Sequence, residues 1–515
     1  MSGRWRTALY LLVLLVLWEV AGRLDLVASG ALPAPSEILV QFWGDRGDYG
    51  PHVAATLTTA VQGFAIGNLI AVLAALAFVL WPASSRLARG INVALFAVPP
   101  IAIVPILIIA FTGDTPRIVL AALAVYFPTM TAMVVGLTQV DPRTVDLVRA
   151  YAGGDLALLR WVRLRSSLPA LLGGLRVAAP NAVLGAILAE FGSGARWGLG
   201  TYLLGSLGQA NPARLWGIGL AATAIAGLGY LVFALLGARV AGTSRAVTIA
   251  AGAVPDSGAD SGGRLLMAAS VVLPFLVWWA LALLLGTSPI VFKTPAGVAD
   301  YLLLGPTAAS AQARLAAALL QTLPLAFLGL AAGLAFAFAL AVLGEVRPTL
   351  ASALLPVALV TQTMPLVALT PLLVLLLGRG VAVTLAITVS VTFFPAYVAI
   401  AQGLRLVPQA AFDLTRAYGS GWLAELRLVA IPSALPYLMA AARLAVPRAL
   451  LGVMIAEWLA TGRGLGNLLN QSRGYLDYGM IWSVALVSVL VSILAYELVT
   501  IAESRLLRRY GMAGR

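Results

Sequence analysis

Residues 146–190 read DLVRAYAGGDLALLRWVRLRSSLPALLGGLRVAAPNAVLGAILAE, and residues 413–457 read DLTRAYGSGWLAELRLVAIPSALPYLMAAARLAVPRALLGVMIAE. The two stretches align without a gap, and roughly half of the paired positions are identical. Shared hydrophobicity alone does not produce this match, because Asp, Arg, Tyr, Gly and Pro recur at matched positions as well as Leu and Ala. The chain therefore contains an internal duplication.

The duplication extends beyond this segment in both directions. The matched features are Pro99 with Pro365, Pro105 with Pro371, residues 126–128 with 393–395, residues 198–200 with 464–466, and Trp216 with Trp482. We therefore predict two copies of one unit, residues 1–241 and residues 265–515. The Gly-, Ser- and Ala-rich stretch 242–264 between them is typical of a flexible linker.

The composition excludes a soluble protein. Of the 515 residues, 61% are hydrophobic and only 10% are charged, and the mean hydropathy is +0.97. A soluble domain is about half apolar and a quarter charged. The net charge of +13 could indicate nucleic-acid binding. However, the arginines lie between apolar stretches, as in the cytoplasmic loops of membrane proteins, so we expect no nucleic-acid partner.

Twelve apolar stretches approach the length of about 20 residues that a helix needs to cross the hydrocarbon core. The first resembles a signal peptide but lacks a convincing cleavage site, so we expect a retained helix. The predicted fold class is an all-α membrane protein with about 12 transmembrane helices, arranged as two parallel six-helix repeats. The predicted spans are residues 7–26, 57–81, 90–112, 118–138, 169–191 and 215–240, then 265–285, 315–343, 350–377, 381–404, 436–459 and 481–502.

The arginine distribution predicts the orientation. Short cytoplasmic loops are enriched in Lys and Arg. If both termini are cytoplasmic, the arginine-rich segments before the first span, between spans two and three, between spans four and five, around the midpoint and at the end all lie on that side. We therefore predict that both termini and the linker 242–264 are cytoplasmic.

The repeated segment after the fourth span of each half has an unusual composition for a connector. It opens with an acid, an arginine and a tyrosine and then has a glycine break. A short helix lying across the membrane face needs a surface to pack against, so this segment is a candidate docking site. Its residues are Asp146, Arg149, Tyr151 and Gly154 in the first copy, and Asp413, Arg416, Tyr418, Gly419 and Gly421 in the second.

Both copies resemble the permease domain of bacterial ABC importers of the nitrate, sulfonate and taurine type. The residues that carry the resemblance are the D-L-x-R-A-Y run, the Leu-Pro start of the fifth span and the later Ala-Glu followed by Gly-Leu-Gly. The stretch LPAPSEILVQF at residues 32–42 is similar to the same group. The resemblance covers nearly the whole chain twice, which implies two permease domains fused in one chain.

The resemblance implies a function, a location and a set of partners. The chain would be the permease subunit of an importer in a bacterial inner membrane, with a pathway for a small anion or a small polar organic solute. The repeated loops would dock two ABC ATPase subunits, identical or different. A periplasmic or lipid-anchored binding protein would deliver the substrate. The sequence has no G-x-x-x-x-G-K-[ST] motif, so partner subunits would hydrolyse ATP. We expect no catalytic residue, cofactor or metal site.

The first copy departs from the family pattern. Ala152 stands where the second copy has Gly419, and Arg165 stands where it has Pro432. We expect the first loop to couple less tightly, or to a different ATPase subunit. The sequence accordingly predicts that a substitution at Ala152 is milder than the same substitution at Gly419.

Residues within the spans are candidates for the pathway or its gate. Arg176 and Arg443 occupy matched positions in the fifth spans, where an arginine faces the protein interior or water, or snorkels to the interface. Glu190 and Glu457 could contact the binding protein, and pairing with Arg196 and Arg463 is the favoured alternative. The other candidates are Pro99, Pro105, Pro365, Pro371 and Gln362, and we expect the prolines of the third and fourth spans to kink helices at a gate. A further set of polar residues either lines the pathway or bonds between helices: Gln62, Asn68, Asn181, Gln321, Thr361 and Thr363.

Two other classes of membrane protein compete with this interpretation. A major-facilitator transporter also has two parallel six-helix halves, but its charged signature loop lies between spans two and three. Here that loop, residues 82–89, is short, and the specialised loop lies between spans four and five. A membrane-embedded enzyme would need clustered His, Asp or Glu, and the sequence shows no such spacing.

Overall fold

The structure is a computed structural model that describes residues 2–27, 30–209, 211–240, 261–286, 288–346 and 364–510. Apart from short connections, these residues form helices. In the first half the helices are α1 (Ser2–Arg23), α2 (Pro35–Gly44), α3 (Arg46–Leu80), α4 (Pro82–Ala97), α5 (Pro100–Ala110), α6 (Thr115–Thr138), α7 (Pro142–Ala150), α8 (Asp155–Ser193), α9 (Leu199–Leu207) and α10 (Pro212–Val240).

The second half repeats this order of helices. They are α11 (Ser261–Leu284), α12 (Pro295–Leu304), α13 (Ala308–Val346), α14 (Leu366–Leu377), α15 (Val381–Arg405), α16 (Gln409–Ala417), α17 (Trp422–Thr461), α18 (Gly464–Gly474) and α19 (Tyr478–Arg509). Residues 347–363, which follow α13 as α4 follows α3, lie outside the described residues. Helices α11 to α13 match α1 to α3, and α14 to α19 match α5 to α10.

The long helices agree with the predicted membrane protein. Eight helices in the described ranges are long and apolar enough to cross a membrane, and a ninth span forms if the bent pair α4 and α5 counts as one. Helices α1 and α11 have 22 and 24 residues, and α11 contains a shorter apolar part, Ala268–Leu284, within its predicted span 265–285. The all-helical fold class and the two repeats are confirmed.

The third span of the first half, predicted over residues 90–112 with a kink at its prolines, is broken into two helices. Helix α4 ends at Ala97 and α5 begins at Pro100, with a bend of 98° between them. The cause is the Pro99–Pro100 pair, because proline supplies no backbone N–H and keeps the preceding residue extended. Val98 accordingly has φ −64° and ψ 120°. In the second half, α14 likewise begins directly after a proline, Pro365.

The two halves interlock through these short helices. Ile101 and Ile106 of α5 lie in one hydrophobic core with Leu450 and Met454 of the second half. Conversely, the buried residues of α14 lie in the core of the first half, beside α8 and α9. Each half therefore completes the hydrophobic core of the other, which holds them together as one molecule.

Both halves have the same orientation. A Cβ built on Gly192, at the end of α8, would lie 2.7 Å from Cδ1 of Ile108 and 3.4 Å from Nη1 of Arg473. Arg473 belongs to α18, the helix that follows α17 at the same end, so the matching ends of α8 and α17 lie together. This is the arrangement of a parallel repeat. Of the predicted linker 242–264, residues 242–260 lie outside the described residues, and residues 261–264 already belong to α11.

The end of each half that is far from α7 and α16 is tied by an Arg–Asp pair. In the first half Arg214 of α10 donates two hydrogen bonds of 2.7 Å to Asp45, which lies between α2 and α3. These bonds hold the pKa of Asp45 below its usual value. In the second half the arginine and the aspartate have exchanged elements: Arg314 lies on α13, the counterpart of α3, and Asp477 lies at the start of α19, the last span. The two side chains form an ion pair of 3.2 Å.

Candidate coupling loops and translocation passage

Helix α7 of the first predicted coupling loop ends in a backbone cap. The N–H of Ala152 donates to the carbonyl of Arg149 at 2.9 Å, and the N–H of Gly153 donates to that of Val148 at 2.9 Å. These two bonds form a Schellman motif, which requires a left-handed residue after the last helical turn. That residue is Ala152, with φ +57°.

The second coupling loop has the same cap at the end of α16. The N–H of Gly419 donates to the carbonyl of Arg416 at 2.8 Å, and the N–H of Ser420 donates to that of Thr415 at 3.1 Å. The left-handed residue is Gly419, with φ +74°. The two loops therefore reverse the chain with one geometry, although only the second has the residue that suits it best.

This shared geometry argues against our expectation that Ala152 tolerates substitution better than Gly419. An alanine at positive φ is already strained, and a β-branched residue there is more so. Copy one also has a feature that copy two lacks, because the carboxylate of Asp141 caps the start of α7 through the N–H of Arg143 at 2.9 Å. Pro408, at the start of α16, gives no side-chain cap.

The start of the long helix that follows each loop is also the same in both halves. Each long helix contains one π-helical turn just after the loop, Leu159–Arg163 in α8 and Leu426–Ala430 in α17. The turn forms at matched positions whether Arg165 or Pro432 follows it, so the proline is not what shapes the exit. Single π-turns of this kind occur frequently at functional sites.

One contact distinguishes the second loop. Arg416 of α16 donates to both carboxylate oxygens of Glu425 in α17, at 2.7 and 3.2 Å, and this bridges the turn between the two helices. The hydrogen bond with Glu425 raises the pKa of Arg416. The first copy has Leu158 in place of Glu425, and Leu158 is buried. The side chain of Arg149 has no hydrogen bond or ion pair among the described residues.

The loops present exposed apolar side chains at one end of the molecule. Tyr151 is 83% exposed and Tyr418 is 84% exposed, with Leu147 and Leu414 beside them on α7 and α16. The remaining predicted coupling residues lie at the surface of the same loops, fully or partly exposed: Asp146, Arg149, Gly154, Asp413, Arg416, Gly419 and Gly421. Gly154 and Gly421 have φ −77° and −78°, which any residue adopts.

The opposite ends of α8 and α17 each bury a glutamate in a matched network. Thr56 of α3 donates to Glu190 at 2.7 Å, and the N–H of Gly200 donates to the other carboxylate oxygen at 2.7 Å. In the second half Thr322 and the N–H of Gly466 bind Glu457 at 2.7 and 2.9 Å. The favoured pairing of Glu190 with Arg196, and of Glu457 with Arg463, is therefore wrong. The carboxylates instead receive hydrogen bonds at the Gly-Leu-Gly turns.

Arg176 and Arg443 are held against the last span of their own half. Arg176 donates to the hydroxyl of Tyr230, and its guanidinium carbon lies 4.2 Å from the centre of that ring. The guanidinium carbon of Arg443 lies 5.7 Å from the ring of Tyr496, in the last span of the second half. Arg443 also forms an ion pair of 3.2 Å with Glu503. Both arginines thus connect the fifth and sixth spans.

Comparison with known families decides the class of the protein. The family model described as "Binding-protein-dependent transport system inner membrane component" matches residues 67–243 and, a second time, residues 346–509. The chain belongs to this family. Each matched region contains one of the two coupling loops, so the loops described above are those of two fused permease domains.

Individual relatives of this permease each match about a third of the chain. A probable ABC transporter permease protein of Haemophilus influenzae is 32% identical over 33% of this chain and 69% of its own length. The riboflavin transport system permease protein of Chloroflexus aurantiacus is 30% identical over 31% of this chain and 59% of its own. The taurine transport system permease protein of Escherichia coli is 27% identical over 32% of this chain and 64% of its own length.

The other predicted pathway residues of the permease divide into three groups. Asn68 accepts a hydrogen bond from Thr129, and Gln321 accepts one from the N–H of Gly464 at 3.0 Å, so both bond between segments. The four prolines lie in or beside the short interlocking helices, Pro99 and Pro365 just before them and Pro105 and Pro371 within them. Gln362, with Thr361 and Thr363, lies outside the described residues.

Arg448 is a residue of the permease that our sequence reasoning missed. It lies near the middle of the predicted fifth span 436–459, at the position matched by Asn181 in the first half. A charge inside an apolar span was the available signal, since such residues mark functional sites. Unlike Arg176 and Arg443, it has no counterpart arginine in the other half and therefore did not stand out in the repeat.

Two repeat-related clefts lie at the end of the permease that carries Glu190 and Glu457. One, of about 410 Å³, is lined by Asp114, Arg117, Arg196 and Trp197 among others. The other, of about 430 Å³, is lined by residues that include Gln321, Arg379, Glu457 and Arg463. Matched arginines, Arg196 and Arg463, thus line an open surface at the same place in each half.

Proposed function

We propose that this permease forms, within a single chain, the complete membrane passage of an ABC importer. Permeases of this family act with an ATPase and a substrate-binding protein, and ATP hydrolysis belongs to the ATPase. The observation that carries the proposal is the pair of coupling loops, which have the same Schellman cap, the same π-turn and the same exposed tyrosine in both halves. Two equivalent docking helices suit two ATPase subunits.

In this proposal the α7 and α16 end is cytoplasmic and receives the ATPase subunits. Tyr151 and Tyr418 with the neighbouring leucines give each subunit an apolar contact, and aromatic residues are enriched at such interfaces. The two halves are residues 1–241 and 265–515, joined by a cytoplasmic linker at 242–264, with both termini cytoplasmic. Whether the two ATPases are identical or different, each would contact one loop.

The binding protein would dock on the opposite, outward-facing end. The two clefts at that end occupy matched positions and are lined by arginines, which suits a two-lobed partner with acidic contact surfaces. Such a partner would be periplasmic or lipid-anchored. The host would accordingly be a bacterium, with this permease in its inner membrane.

The substrate in this proposal is a small anion or a small polar organic solute. The relatives include transport proteins named for riboflavin and for taurine, which differ in size and charge, so the family admits several solutes. We place the gate at the interlocking helices α5 and α14. Their prolines leave backbone carbonyls free where the two halves meet, and broken helices of this kind line passages in transporters.

The test is uptake into proteoliposomes that contain this permease and its cognate ATPase subunits, with the loaded binding protein outside. We expect uptake to require ATP, and to stop when the P-loop lysine of the ATPase is replaced. A matched vesicle with the permease alone is the control. Uptake that continues with the inactive ATPase would contradict the proposal and would favour a secondary transporter.

A further inference from the structure

Arg448 stands apart from the other arginines of the fifth spans. Arg176 and Arg443 contact tyrosines of the last span in each half. The side chain of Arg448 makes no hydrogen bond, ion pair or ring contact with any residue that the structure describes, although Pro447 and Ala449 on either side of it are buried. An arginine in the middle of a span that has no side-chain partner among the described residues needs water, because hydrocarbon does not solvate its charge.

The face of α17 that carries Arg448 points at the junction of the two halves. Ile455 and Leu459 lie seven and eleven residues further on, which places them within about 20° of Arg448 around the helix. Ile455 is buried in the core that α5 of the first half shares with the second half. Leu459 contacts that core and also the core that α14 shares with the first half.

The matched residue Asn181 points at the same junction from the other side. Leu188 and Gly192 lie seven and eleven residues beyond it on α8. Leu188 belongs to the core that contains α14. A Cβ on Gly192 would meet Val104 and Ile108 of α5 and Arg473 of the second half. Asn181 is half-buried, as is Arg448.

We propose that Arg448 lines the water-filled passage between the halves and makes that passage favour anions. This inference rests on the proposed function and narrows its substrate to solutes that carry a negative charge. Only the second half supplies the positive charge, since the first half has neutral Asn181 in its place. A single guanidinium attracts an anion without trapping it, whereas two facing each other would bind it more tightly and repel one another.

The test uses the absence of cysteine from the sequence, so that Asn181→Cys carries a single thiol. The permease, assembled with its ATPases in liposomes, is treated with an anionic or a cationic methanethiosulfonate reagent, ethylsulfonate or ethyltrimethylammonium. Rates are compared with Arg448 intact, with Arg448→Asn, which copies the first half, and with Arg448→Lys. Leu73→Cys, whose position is exposed on the apolar helix α3, is the matched control for reagent access through lipid.

The quantity measured is the rate at which the anionic reagent modifies the thiol of Asn181→Cys, divided by the rate for the cationic reagent. We expect this ratio to fall about fivefold when Arg448→Asn is added, and to stay unchanged when Arg448→Lys is added. With Arg448 intact, the ratio should also fall as ionic strength rises, a readout that does not depend on any Arg448 variant. An unchanged ratio, or a thiol that neither reagent reaches, overturns the inference. Either result is compatible with ATP-dependent uptake by the permease, which is measured separately. Failure of this inference is therefore distinguishable from failure of the proposed function.

Discussion

Arg443 and Arg448 lie five residues apart on α17, and their surroundings show how a membrane protein handles a buried charge. Arg443 has Glu503 at 3.2 Å and the Tyr496 ring beside it, so its charge is compensated within the protein. Arg448 has no such partner among the described residues. The same contrast applies to the carboxylates, because Glu190 and Glu457 are buried but receive hydrogen bonds from a threonine and a backbone N–H.

Ala152 gives the residue-scale prediction. Its φ of +57° is strained for alanine, and a Cβ at Gly419 would meet open space, so the two positions differ in strain and not in crowding. We expect Ala152→Gly to raise the free energy of unfolding by roughly 1 kcal/mol, and Gly419→Ala to lower it by a similar amount. Thermal unfolding of the purified permease in one detergent measures both.

The valine variants extend this prediction to function. Both residues lie in the left-handed region, so we expect Ala152→Val to impair substrate-stimulated ATP hydrolysis as severely as Gly419→Val does. Gly154→Val is the control, since Gly154 has an ordinary φ of −77° and free space around it. If Ala152→Val behaves like this control, then the left-handed cap does not govern coupling in the first half.

At the scale of elements, the two coupling loops differ most in what bridges them to the long helices. The second uses the Arg416–Glu425 pair, whereas the first has the Asp141 cap and a buried Leu158. An exposed ion pair adds little to stability. We therefore expect the Arg416–Glu425 pair to act by fixing the orientation of α16 relative to α17, so that movement of α16 is passed on to α17.

We therefore expect Arg416→Ala to lower substrate-stimulated ATP hydrolysis several-fold while the melting temperature stays unchanged. Arg149→Ala is the matched control, because Arg149 has no ion pair among the described residues. The same comparison with Glu425→Ala should reproduce the Arg416→Ala effect. Equal losses in the Arg149 and Arg416 variants would indicate that both arginines act by contacting the ATPase directly.

The sequence predicted the long helices and the short helix of each repeated loop, because a 20-residue apolar run and a repeated amphipathic segment are local signals. It predicted a kink at the prolines of the third span but not a break with a bend of 98° at residues 98–99, since a proline pair can kink a span or break it, and only the interlocking of α5 with the other half decides between these outcomes. The partners of Glu190 were missed because Thr56 lies 134 residues away. The left-handed Ala152 was missed because alanine rarely adopts that conformation.

On the scale of the whole molecule, the parallel repeat and the even number of predicted spans in each half require both termini to lie on one side. The arginine-rich segments indicate that this side is the cytoplasm. We expect reporter tags inserted at residue 258 and at the C-terminus both to report the cytoplasm, and a tag in the loop at residue 113 to report the other side. A non-cytoplasmic signal at residue 258 would contradict the twelve-span topology.

The central claim is that one chain provides both halves of the passage and both docking loops. The interlocking of α5 and α14 supports it, because each half lacks part of its hydrophobic core without the other. The most direct test is the mass of the complex purified with the cognate ATPases, measured by light scattering or native mass spectrometry. We predict one permease chain with two ATPase subunits. A stable, transport-competent complex with two permease chains would contradict the claim.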